Sequence, residues 1–274
     1  MKSFATQRWL GMSVLLILSA GILAAYVYYA PMYPRLSYLS GWILFLLMIV
    51  LAMYNGRKKL PFLPLGSSEG WLQFHIYAGF LTVALFAVHI RFRAPTGWFD
   101  IIFALLYVLV AGSGVVGLFV TRSVPKRLTT RGGEVLYERI PGIRRALQQQ
   151  AETLALKSAT EVKSATIADF YARHLHDFFD GPRNLTLHWL EVRRPLNLLL
   201  NRIADTNRFL DKREREVMDK IAELARQKDG LDYHQSLQLM VKSWLFVHIP
   251  LTYSLLIFSI VHIVLVYAFS GGAR

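Results

Sequence analysis

Apolar residues in this chain gather into five runs. Most approach the twenty or so residues that an α-helix needs to cross a bilayer's hydrocarbon core. The runs cover about Trp9 to Ala30, Tyr38 to Tyr54, Trp71 to Ile90, Trp98 to Val120 and Trp244 to Phe269. Trp9, Trp42, Trp71, Trp98 and Trp244 stand at or near run ends, where an amphipathic ring favours the membrane–water boundary. The second run is the shortest. Lys2 and Arg8 precede the first run as they would in a signal peptide. No small-x-small cleavage site follows at Tyr26-Val-Tyr-Tyr29, so this run reads as an uncleaved anchor.

The pattern changes between about Arg122 and Met240, where 21 Lys/Arg stand against 16 Asp/Glu. Ile143 to Ser158, Ile167 to Phe179 and Pro195 to Gln227 each carry helical periodicity. Turn signals fall at Gly132-Gly133, Pro141-Gly142, Gly181-Pro182 and Asp229-Gly230. Asp205 to Arg215 is polar enough to give the last helix a break or a protruding hairpin. Leu185, Leu187, Trp189 and Leu190 would let the region rest on a membrane. No alternating strand pattern and no Gly-rich nucleotide fingerprint occurs. The expectation is an all-α membrane protein: a five-span transmembrane helical bundle with a helical cytoplasmic insertion between spans four and five. Spans one to four occupy 1–121, the insertion 122–240 and span five 241–274.

Charge orients this arrangement. The net charge of +13 matches basic loops held on the cytoplasmic side better than it matches a nucleic-acid partner. Lys2, Arg8, Arg57-Lys58-Lys59 and the insertion fall on one side, against Arg35, Arg91, Arg93 and Arg274 on the other. The N-terminus and insertion are therefore expected inside and the C-terminus outside, in a bacterial inner membrane. There is no cysteine. That excludes covalently attached c-type haem, cysteine-ligated iron–sulfur clusters, disulfides and thiolate zinc sites.

Histidines supply the candidate chemistry. His75 and His89 lie in the third run, His248 and His262 in the fifth, and both spacings are fourteen residues. At about 100° per residue, fourteen steps fall about 40° short of four turns, so each pair shares a helix face. Its members lie about 21 Å apart along the axis. Runs three and five are separated by one span and run parallel, which sets His75 opposite His248 and His89 opposite His262. Intramembrane histidines are costly and have a partner or a purpose. A lone one most often bonds between helices, whereas two matched pairs suit two stacked b-type haems. Gly79, with Ala78 and Thr82, would leave room for a flat macrocycle on the third span. Gly112, Gly114 and Gly117 would either admit a porphyrin edge or serve close helix packing. Arg91 and Arg93 would meet the propionates of an outer haem; Lys242 and Arg57 to Lys59 would meet those of an inner one. His174, His176, His188 and His234 read as surface histidines, since His174-Leu-His176 diverges by about 200° on a helix.

These residues resemble the transmembrane b-type dihaem cytochromes, a set that includes respiratory cytochrome b and the ferric reductase/NADPH oxidase membrane domains. The likeness covers spans three to five, from Phe74-His75 through His89 and from Phe246-Val-His248-Ile-Pro250 through His262. It implies electron transfer through two non-covalent haem b groups, with His75, His89, His248 and His262 as iron ligands. With four residues after Ser270, the C-terminal flavin and nicotinamide domains of ferric reductases are expected to be absent, and no Pro-Glu-Trp quinol motif is found. The expected role is thus a cytochrome b subunit that needs other redox subunits, a c-type cytochrome or an iron–sulfur protein. Two alternatives stand beside it. One is a quinol-oxidising or quinone-reducing subunit with its own quinone site; the other is a non-haem membrane scaffold or assembly protein. A metal-ion transporter is a distant third: it would want intramembrane acids, and Asp100, near the edge of span four, is the only acid inside one of the five runs.

Overall fold

The computed structural model describes residues 4–33, 35–59, 67–129, 135–161 and 165–270. The described residues are 87% helical, with no strand among them. It forms two compact units, residues 1–119 with 244–274 and residues 120–243.

The first unit is built from α1 (Phe4–Tyr29), α2 (Leu36–Lys59), α3 (Ser68–His89), most of α4 (Trp98–Leu128) and the last part of α10 (Lys212–Ser270). All five helices are long and apolar enough to cross a membrane. Their outward residues are apolar too: Leu16, Ile17, Leu46, Val83, Phe119 and Ile257 are all exposed. A helix that is apolar all round is at home in lipid, where its backbone is satisfied internally. The unit's small core is Leu44, Met48, Leu85, Tyr107 and Leu255. Thr82, midway between His75 and His89, is buried here; it donates to the Gly79 carbonyl at 2.7 Å and lies 3.0 Å from the Tyr107 hydroxyl. Leu255 is midway between His248 and His262. A packed layer therefore separates the two histidine levels.

Local chemistry fixes the ends of α3. The Ser67 hydroxyl accepts the Gly70 N–H at 3.2 Å as an N-cap, and Glu69 complements the helix dipole. At the other end Arg91 and Phe92 both take left-handed backbone, with φ of 53° and 54°. The turn closes through the Phe92 N–H on the Ala87 carbonyl at 2.9 Å. Non-glycine residues in this region cost about 1–2 kcal/mol each, and the Tyr26–Phe92 ring contact at 5.7 Å helps hold them.

The second unit contains the end of α4, a 3-10 turn (Tyr137–Arg139), α5 (Ile140–Glu161), α6 (Thr166–Phe170), a π turn (Tyr171–Leu175), α7 (His176–Asp180), α8 (Leu185–Trp189), α9 (Arg194–Asn207) and the start of α10. The core joins Leu147 and Ala151 of α5, Phe170 and Phe179 around the π turn, Ile203 of α9, and Met218 and Ile221 of α10. The expected interruption within 205–215 is present between α9, which ends at Asn207, and α10, which starts at Lys212. Asp211 and Glu214 form a reciprocal capping box, each accepting the other's backbone N–H at 2.8 Å.

The expected turn at Asp229-Gly230 does not occur, because α10 runs unbroken through it. Asp232 forms a buried knot there. It takes the Lys228 ammonium at 2.6 Å, the Arg144 guanidinium at 3.0 Å and the Arg183 N–H at 3.0 Å. The i,i+4 pair of Lys228 and Asp232 holds the helix across the glycine, so tertiary contacts override the local signal. Pro141-Gly142 lies inside the first turn of α5, where proline is tolerated. Gly132-Gly133 lies outside the described residues.

His188 and His234 correct a second expectation: both are buried in this unit, at 4% and 2% exposure. His188 stands 3.7 Å from Asp229 and edge-on to Tyr233, contacts that only the folded chain assembles. His174 and His176 are exposed.

Candidate functional site: two histidine levels

At one level α3 presents His89 and α10 presents His262. Their ring centres are 6.2 Å apart, with the planes at 79°. α2 approaches His89 closely enough for its Ser37 carbonyl to lie 3.0 Å from the His89 Nδ1. Gly41, one turn along α2, makes that approach possible, since a Cβ there would stand 2.8 Å from the His89 Cε1. The His262 Nδ1 lies 3.6 Å from the Asp100 carboxylate at the start of α4. Phe99 stacks on the same imidazole at 6.4 Å and 5°. A cavity of about 340 Å³ opens beside the pair, walled by Trp42, Phe45, Phe103, Tyr107 and Tyr267.

At the other level, His248 of α10 has its Nδ1 2.7 Å from the Ser113 hydroxyl of α4. His75 of α3 lies within electrostatic reach of His248 and has the Tyr54 ring at 5.2 Å. Trp244 completes this level. Its indole stacks on His248 at 5.3 Å and 22°, and its Nε1 donates to the Ser113 carbonyl at 2.7 Å. Its ring lies against the backbone of Gly117, where any Cβ would overlap it. Gly117 thus packs Trp244, and Trp244 is a packed residue although its position at a run end suggested the membrane boundary.

Two of the four imidazoles therefore place Nδ1 within hydrogen-bond distance of another helix, His89 at a carbonyl and His248 at a hydroxyl, and a third, His262, has a carboxylate 3.6 Å from Nδ1. This is how proteins fix a histidine's tautomer and rotation while leaving Nε2 for a metal. Two imidazoles on opposite sides of one metal, each bonded at about 2 Å, have ring centres roughly 6 Å apart. The His89–His262 spacing of 6.2 Å fits that arrangement. Among the described residues no group of three or more His, Asp or Glu is placed to cage a metal ion.

The remaining candidates are dispersed. Gly79 faces open space, where a Cβ would meet nothing within 4 Å, and Gly114 lies 3.9 Å by its Cβ position from the His248 Cε1. Arg91 is exposed and donates to the Ser37 hydroxyl at 2.7 Å, next to His89's own partner; Arg93 is exposed. Lys242 belongs to the second unit, where its ammonium sits 3.5 Å from Glu138 and 3.5 Å above the Tyr137 ring. A hydrogen bond from its own backbone N–H and the Lys242 ammonium together hold the Glu138 carboxyl below its ordinary range. The Arg57 to Lys59 side chains lie outside the described residues. Sequence reasoning missed Ser37, Gly41, Ser113 and the support from Trp244; it met Asp100 only as a possible transport acid. Asp100 carried one readable signal, being one of two acids outside residues 122–240.

Gly117→Ala tests the packing directly. The added methyl must displace the indole, breaking its bond to Ser113 and its stack on His248, at about 1–3 kcal/mol. Thermal denaturation should show that loss, together with red-shifted tryptophan emission. No protein-family model matches this chain, and neither a curated protein nor a solved structure matches it.

Proposed function

We propose that the chain moves electrons across a membrane through two b-type haems, one held by His89 and His262 and the other by His75 and His248. It would do so as the cytochrome b subunit of a bacterial membrane redox complex. The observation that carries this reading is the 6.2 Å separation of the His89 and His262 rings, with each Nδ1 facing a partner from another helix. The bound haem would supply one-electron redox chemistry, and two histidine ligands leave no iron position for oxygen. The chain's own residues do the rest. Ser37, Asp100 and Ser113 hold the ring rotations, while Gly41 and Gly117 admit the close contacts. Arg91, exposed beside Ser37, would meet an anionic propionate. The extracytoplasmic partner would be a c-type cytochrome or an iron–sulfur protein, with the N-terminus and the polar unit on the cytoplasmic side.

A pyridine haemochrome assay on the purified chain is expected to give two haem b per polypeptide, with a b-type band in the reduced-minus-oxidised spectrum. Protein purified from haem-replete cells without that band would sink the reading. One observation favours a quinol-handling variant of the same role. The Asp100–His262 contact adjoins a cavity lined by tyrosine, tryptophan and phenylalanine, a setting for an aromatic redox carrier that also exchanges protons. Reduction of the purified chain by menadiol distinguishes it.

A further inference from the structure

The turn that follows α8 is a rigid structure with an apolar tip. Glu191 takes left-handed backbone at φ 58°, and the Val192 N–H closes on the Leu187 carbonyl at 3.0 Å. Arg127 clamps the turn from α4, donating to the His188 carbonyl at 2.8 Å and to the Trp189 carbonyl at 3.0 Å. The Trp189 Nε1 is tied to the Ser236 carbonyl at 3.0 Å. Beyond these anchors Leu190 is 75% exposed, and the Trp189 and Val192 side chains are partly exposed beside it. Leu185 and Leu187, also expected at a membrane surface, are half-buried.

Charge around the tip is one-sided. Its only acid, Glu191, is neutralised by Arg127 at 2.7 Å. Arg193 and Arg194 follow at once, both exposed and neither facing a carboxylate among the described residues. A preformed apolar tip beside two available guanidiniums complements one kind of surface, an apolar layer faced with anions. The same chain carries five helices fit to cross a membrane, so such a surface is always at hand.

We propose that residues 189–194 form a membrane-docking finger. Leu190 and Val192 enter the headgroup layer, and Arg193 and Arg194 bind anionic phospholipid headgroups. Guanidinium matches phosphate and carboxylate oxygens as a two-pronged donor, and the rigid turn limits the ordering needed on binding. The proposal does not depend on haem.

The absence of native cysteine makes a clean experiment possible. Leu190→Cys and, as a reference, Ala159→Cys at an exposed position of α5 would each carry a spin label in the full chain. The labelled proteins are reconstituted into nanodiscs of phosphatidylcholine alone or with phosphatidylserine. With phosphatidylserine, the label at 190 should be several-fold less accessible to a soluble nickel chelate than the label at 159, and more accessible to oxygen. Arg193→Glu with Arg194→Glu should abolish that difference. Val192→Cys repeats the measurement should the first label disturb the turn. A label at 190 as open to the chelate as the one at 159 overturns the docking, and that is also the outcome if the tip instead serves a protein partner. Equal protection in phosphatidylcholine alone overturns the role of the arginines.

Discussion

Under the proposed two-haem reading, purified His262→Ala protein is expected to carry about one haem b in place of two, with His248→Ala losing the other. The argument rests on the separation of the two levels. His262 contacts Asp100, Phe99 and Phe103, whereas His248 contacts Ser113 and Trp244, so these two histidines rest on different residues. The buried layer of Thr82, Leu85, Tyr107 and Leu255 lies between them. Haem content, measured as pyridine haemochrome per polypeptide, should therefore fall in two independent steps, and His262→Ala with His248→Ala should leave none. Circular dichroism should stay at the native helical signal, because truncating one partly exposed imidazole leaves the apolar packing in place. Unchanged haem in both single variants would exclude these residues as ligands. An absence of haem in the native chain itself would favour the scaffold reading.

The largest expected effect on stability is that of Asp232→Ala in the second unit. Asp232 is 1% exposed and faces Lys228, itself fully buried, and Arg144 at 7%. Removing the carboxylate leaves both cations in a low-dielectric setting without their shared counter-charge, at about 3–5 kcal/mol. Whole domains are stable by only about 5–15 kcal/mol. For a unit of this size the loss corresponds to a fall in Tm on the order of 10–20 °C. Limited proteolysis should then cut first within residues 120–243. Arg173→Ala is the control: its pairing with Asp169 is more than half exposed on both sides, and such pairs contribute about 1 kcal/mol or less. Lys228→Met together with Asp232→Leu should restore part of the stability. Arg144 would still be buried, with Gln235 as its remaining hydrogen-bond partner from α10, so recovery should stay incomplete.

Much of the helical architecture follows from the sequence, because run length has a physical threshold. A segment either is or is not long and apolar enough to cross a membrane, and five are. The break near Asp205 to Arg215 was legible for a similar reason, since a stretch that is mostly charged and polar offers a helix little apolar surface to bury. Asp229-Gly230 misled because local turn chemistry competes with a pair, Lys228 and Asp232, whose burial depends on Arg144 arriving from α5. His188 and His234 read as surface residues for want of any way to see Asp229 and Tyr233 packing beside them. In the histidine levels, spacing alone places the four imidazoles on two helix faces. It says nothing of how α2 and α4 rotate about their own axes. Ser37, Gly41, Asp100 and Ser113 become neighbours of histidine only once those rotations are set, so none was assigned a supporting role from the sequence.

The packed layer between the two histidine levels has a consequence for membrane voltage. Fourteen residues of helix separate the levels by about 21 Å, roughly two-thirds of a 30 Å hydrocarbon core. With apolar packing in between, most of the local field would fall across that interval. In the proposed role, an electron passing from one level to the other would gain or lose about 1.6 kcal/mol for every 100 mV across the membrane. A transfer that is balanced at zero voltage would be driven one way in an energised cell. The chain would then act as an electrogenic element, whose direction and rate respond to the state of charge of the membrane that holds it.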